Sequence, residues 1–152
     1  MGLDMYLSAK KYLSEYAAGD EKEVSETIGN LPYPMFKAGM RVKEISFEAM
    51  YWRKANAIHK WFVDKCQDGV DECQETYVDL ARLRELVDTC KIVLADKRKA
   101  EELLPPSAGF FFGSTDVDEY YLEDLRNTVD VLEKLLATEG IEKFDFYYQS
   151  SW

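Results

Sequence analysis

Residues 51–62 read YWRKANAIHKWF and gather Trp52, Trp61, the chain's single histidine, His59, and the cations Arg53, Lys54 and Lys60. Tyr51, Ala55, Ile58 and Phe62 recur at intervals of three and four, the repeat of one helix face. The spacing predicts a helix over 49–64. Trp52, His59 and Val63 fall on one flank of it and Trp61 on the other. Only a narrow sector with Arg53, Lys60 and Asp64 stays polar. A helix apolar this far round is packed on more than one side, so it is expected to be the central helix.

The flanking segments change period. MGLDMYL alternates Leu3, Met5 and Leu7 with Asp4 and Tyr6, the two-residue repeat of a half-buried strand. KFDFYYQSSW does the same with Phe144, Phe146 and Tyr148, and MRVKEISFEA supplies a third strand around residue 42. Residues 12–27 are acidic and read as a loop or a short, poorly anchored helix. Pro32 and Pro34 argue against regular structure in LPYPMFKAG. A long helix is expected after Thr76, its cap, with Asp79 in the box position and LLPP as its end. Another follows Thr115 or Asp116 with Tyr121, Leu125, Val129, Leu132 and Leu136 inward, and Gly140 stops it. The sum is an α+β fold: a small antiparallel sheet of N-terminal, middle and C-terminal strands, with three main helices packed on one face. With no linker and no repeat, residues 1–152 are read as one domain.

Composition narrows the function classes. Among 152 residues, 29 acids face 19 bases, for a net charge of −10. That balance repels phosphate backbones and anionic bilayers, so neither nucleic-acid nor membrane binding is expected. No run reaches the roughly 18 apolar residues of a membrane helix, and Asp4 interrupts the first apolar segment. Cys66, Cys73 and Cys90 form an odd set without a CxxC pair, which points to a reducing compartment. His59, Cys66 and Cys73 match no zinc spacing, so no metal or other cofactor is expected.

Two stretches carry candidate binding chemistry. On the predicted helix, Trp52, Arg53, Asn56, His59 and Lys60 combine an aromatic face, a guanidinium fork, an amide and an imidazole, a set suited to a small anionic or aromatic ligand. The same groups also serve a purely internal network paired with carboxylates such as Asp4 or Glu44. In GFFFGST, Gly109 and Gly113 bracket the phenylalanines, and Ser114 and Thr115 sit at a helix start, where amides attract anions. There is no Walker lysine, and Asp116, Asp118 and Glu119 oppose phosphate, so capping is the simpler role. The acids of CQDGVDECQE do not follow the EF-hand order. With one histidine, any nucleophilic chemistry runs through His59 or a carboxylate.

MGLDMYL, YWRKANAIHKWFV, DGVDEC, ELLPPSAGFFFGST and YYQSSW resemble a family of small hypothetical proteins encoded by bacteriophages and prophages. The resemblance spans most of the chain and is poorest over 12–39. It carries no catalytic residues, and it implies a phage context and the cytoplasm of a bacterial host. The first functional expectation is a non-enzymatic accessory protein that binds a host component. The second is a protein that binds or sequesters a small nucleotide-like or anionic ligand. The third is a small hydrolase or transferase using His59. A homo-oligomer is compatible with each.

Overall fold

A computed structural model describes residues 2–109 and 112–152. Two of the three phenylalanines in GFFFGST, Phe110 and Phe111, lie outside the described residues, as does Met1. Strand β1 (Asp4–Tyr12) follows the alternation of its sequence, with Met5, Leu7 and Ala9 buried and Tyr6 exposed. It pairs antiparallel with β2 (Glu44–Arg53) on one side and β4 (Asp145–Ser151) on the other. The short β3 (Thr76–Val78) adds to the far edge of β4, giving the order β2-β1-β4-β3. The sheet is antiparallel throughout, as its one-sided polarity requires.

Three helices supply the other layer: α3 (Asn56–Cys66), α4 (Leu80–Ala95) and α6 (Glu119–Leu136). Met5, Leu7, Met50, Trp52, Phe146 and Tyr148 from the strands, with Leu3 just before β1, form one cluster with Ile58, Phe62, Leu83, Leu86, Leu122, Leu125 and Leu132 from the helices. Phe62 stacks on Tyr148 with centroids 4.0 Å apart, fixing α3 against β4. The helices therefore cover one face of the sheet, as the α+β reading requires. The opposite face carries Tyr6, Tyr51, Tyr77 and Tyr147. No described helix is long and apolar enough to cross a membrane.

The predicted 49–64 helix is corrected. Residues 49–53 belong to β2, and α3 begins only at Asn56. Met50 and Trp52 point into the core while Tyr51 and Arg53 face outward, and Met5, Tyr6 and Leu7 of β1 stand opposite. Both a two-residue and a three/four-residue repeat run through YWRKANAIHKWF. The long-range ladder with β1 takes the first part of it, which a local pattern does not register. Lys54, at φ 59°, makes the break between strand and helix.

Three further boundaries move. Thr76 belongs to β3, and the cap of α4 is Asp79, whose Oδ1 accepts from Arg82 N at 2.7 Å. That helix stops at Ala95 rather than at LLPP; a 3₁₀ turn (Lys97–Lys99) and α5 (Ala100–Leu103) fill the gap. Asp118, not Thr115 or Asp116, caps α6, accepting from Tyr121 N at 3.0 Å. The acidic stretch forms α1 (Asp20–Gly29), which buries no residue, so its weak anchoring is as expected. Pro34 starts a single turn, α2 (Pro34–Lys37), where the missing amide costs nothing. Such a turn in LPYPMFKAG was not expected.

Candidate functional site

The split between β2 and α3 divides the residues that the sequence placed on one helix face. Trp52 lies in the core, 3 % exposed, and its indole Nε1 donates to Thr128 Oγ1 at 2.8 Å. Arg53 faces out of the sheet, 4.0 Å from Asp4 Oδ1. Only Asn56, His59 and Lys60 share α3.

Asn56 stands at the first turn of α3 and is 5 % exposed. Its Nδ2 donates to Phe112 O at 3.0 Å and Ser114 O at 2.8 Å, and its Oδ1 accepts from Ser107 N at 3.0 Å. One amide thus holds both ends of the loop that contains GFFFGST. The described residues of this loop belong to no helix or strand, and these three bonds tie it to the helix. Ser114 joins the site through its carbonyl, and Thr115 is exposed.

One turn further, His59 is 2 % exposed and uses both ring nitrogens. Nδ1 lies 2.7 Å from the Tyr148 hydroxyl and Nε2 lies 2.9 Å from Asp71 Oδ2. Burial, with Asp71 nearby, holds the Tyr148 hydroxyl well above its ordinary titration range, so it keeps its proton. The consistent assignment has Tyr148 donating to Nδ1 and the Nε2–H donating to Asp71. Asp71 also accepts from Trp152 Nε1 at 3.2 Å through its other oxygen. Phe112 stands edge-on to the imidazole at 5.1 Å and to the Trp152 indole at 6.1 Å. The sequence placed His59 but missed Asp71, Phe112, Tyr148 and Trp152 as its surroundings. The turn over 67–73 carries several acids, and nothing in their spacing singles out Asp71 as the partner of His59.

His59, Asp71, Phe112 and Trp152 line a cavity of about 510 Å³ between α3, the 67–71 turn and the 107–112 loop. Lys60 and Asp64 sit at its rim, paired to each other at 2.6 Å, which leaves Asp71 as the unbalanced charge. A second cavity of about 520 Å³ lies on the other side of Asn56, against the α3 N-terminus. Arg53, Lys54 and Ser114 line it together with Asp116, Asp118, Glu123 and Asp124. Burial, reinforced by Asp118 and Glu123, pushes the Asp124 carboxyl up to about 6. Acids outnumber bases in both linings. Among the described residues, no three His, Cys, Asp or Glu side chains converge as a metal site. Burial pushes the Cys66 thiol up to about 11 and the Cys90 thiol up to about 12, so both resist ionisation. Comparison of the chain with protein-family models, with curated proteins and with solved structures returned no match.

Proposed function

We propose that the chain is a non-enzymatic binding protein whose cavity beside His59 takes a small planar heteroaromatic ligand bearing an amine donor. The observation that carries this reading is Asp71: its carboxylate, 24 % exposed as a side chain, is held by a buried imidazole on one oxygen and closed over by Trp152 on the other. Trp152 is 49 % exposed and bonds at 3.2 Å, longer than the charge-assisted norm, so a ligand amine can displace it. Phe112 and Trp152 offer aromatic surfaces for a flat ring. The lining charge weighs toward a donor-bearing ligand rather than the anion expected from Arg53 and Lys60. Catalysis through His59 is disfavoured because both of its ring nitrogens are already engaged, by Tyr148 and Asp71. The phage context fits sequestration of a host small molecule of this class, in the cytoplasm of the bacterial host.

Adenine tested beside unsubstituted purine decides the matter, because the two differ only in the amine. Adenine at about 100 times its dissociation constant adds about 2.7 kcal/mol of stability, a rise of several degrees in melting temperature. Purine is expected to give little, and Asp71→Asn to remove the difference. Equal responses to both rings, or none to either, refute the reading.

A second reading, docking of a host protein, is favoured by the outer sheet face, where Tyr6, Tyr51 and Tyr77 are 36, 42 and 56 % exposed. Capture of a host protein that Tyr51→Ser and Tyr77→Ser abolish would favour it over the cavity.

A further inference from the structure

Strand β2 is the outermost strand on its side of the sheet and runs for ten residues, EISFEAMYWR, without a proline. Strands that long, left open and aromatic at an edge, are templates for another chain. Its inner edge is fully used by β1 over Asp4–Tyr12. Among the described residues, none of the hydrogen bonds outside the sheet ladders reaches the outer edge of Glu44–Arg53. Two flanking bonds fix which residues look outward. Lys54 N donates to Leu3 O, and Leu13 N donates to Lys43 O, so Leu3 and Leu13 mark hydrogen-bonded pairs of the ladder. Such pairs alternate along antiparallel strands. Counting from each end, Trp52, Met50, Ile45 and Phe47 turn their backbone groups to β1. The backbone groups of Glu44, Ser46, Tyr51 and Arg53 turn outward, and the irregularity between Leu7 and Ser8 separates the two halves.

That pattern is self-complementary. We infer that two copies of the chain pair antiparallel through β2, joining their sheets into one continuous sheet about a two-fold axis at Glu48–Ala49. In this register Glu44 of one copy stands opposite Arg53 of the other, and Ser46 opposite Tyr51. All four are outward residues, as the bonding pairs of a new ladder must be. Both ends of the interface then carry an acid–base pair of opposite sign. Arg53 is available for it, because its side chain is 62 % exposed and meets Asp4 only at 4.0 Å. On the helix-covered side, Ile45 meets Trp52 and Phe47 meets Met50. Phe47 is 54 % exposed in the single chain, and a groove of about 730 Å³ lined by Val24, Ile45, Phe47 and Phe144 opens beside it. The second copy continues an apolar layer there that otherwise stops at solvent.

Sedimentation equilibrium of the full chain, up to about 300 µM and so far above the constants of specific complexes, tests the register. The expected mass approaches twice the 17.6 kDa of one chain. Ser46→Pro removes only an outward N–H and is expected to raise the dimer dissociation constant at least about 10-fold. Its circular dichroism and melting transition at low concentration check that the fold is kept. Glu44→Arg faces two cations across each end and weakens the dimer, and Arg53→Glu added to it restores the opposite signs and the dimer. Should Ser46→Pro lose the fold, the loss and return of the dimer across the charge pair decide alone. A monomer at every concentration, or a dimer indifferent to the charge reversal, overturns the proposal.

Discussion

The two cavities beside the first turns of α3 have nearly the same volume and are both lined by the loop that Asn56 ties to the helix, yet their linings differ in character. The cavity at His59 is aromatic, with its one unbalanced acid already engaged by two donors. The cavity at Asp124 is a ring of acids in which one carboxyl holds its proton far above the ordinary range. Asp71 is met by two donors, whereas burial and like charges raise the pH at which Asp124 gives up its proton. The first arrangement presents an acceptor to a ligand, and the second presents a titrating group.

Loss of that tie removes the difference between the cavities most completely. Asn56→Ala removes three buried hydrogen bonds at once and leaves the 107–114 loop without its tie to α3. It is expected to cost about 3 kcal/mol or more in urea denaturation and to abolish any adenine response. Tyr148→Phe acts on the aromatic cavity alone. It leaves His59 Nδ1 without its donor and is expected to cost about 1–2 kcal/mol. Asp124→Asn sharpens the other side. With its folded value raised from 3.8 to about 6, folding takes up a proton at Asp124, so that stability contribution is present below pH 3.8 and lost as pH rises through 6. The amide is expected to stabilise by about 1 kcal/mol at neutral pH after discount for solvent screening, with the gain vanishing near pH 4 in parallel melts. Lys60→Ala, which breaks an exposed rim pair, is expected to shift stability by less than about 0.5 kcal/mol.

How much of this could be read from the residues depends on the range of the force responsible. The strands in MGLDMYL and KFDFYYQSSW and the inner face of α6 were legible, because burial on one side of a regular element writes its period into the sequence, though β1 runs on to Tyr12. The extent of β2 was not, because Ala49–Arg53 satisfies two periods and the choice between them is made by β1, some 45 residues away in sequence. The short β3 was hidden for the same reason: three residues carry no period, and β4 selects them. The site shows both regimes. His59 and Asn56 stood out as polar groups in an apolar helix, which have to find partners. Their partners come from the 67–71 turn, the glycine-flanked loop and β4, segments joined only by the fold. Trp52 and Arg53 were assigned to that site by helical spacing and leave it with the helix.

Strand β1 lies between partners that arrive at very different moments of synthesis. Its pairing with β2 needs about fifty residues of chain, but its pairing with β4 joins Asp4 to Ser151. Until residues 145–151 leave the ribosome, β1 has a bare flank, β3 has nothing to pair with, and His59 lacks Tyr148. Closing so long a loop is slow relative to local helix formation. A chain that stops short of residue 145 is therefore left with a half-made sheet, lacking the β4–β3 half and the hydroxyl that bonds His59.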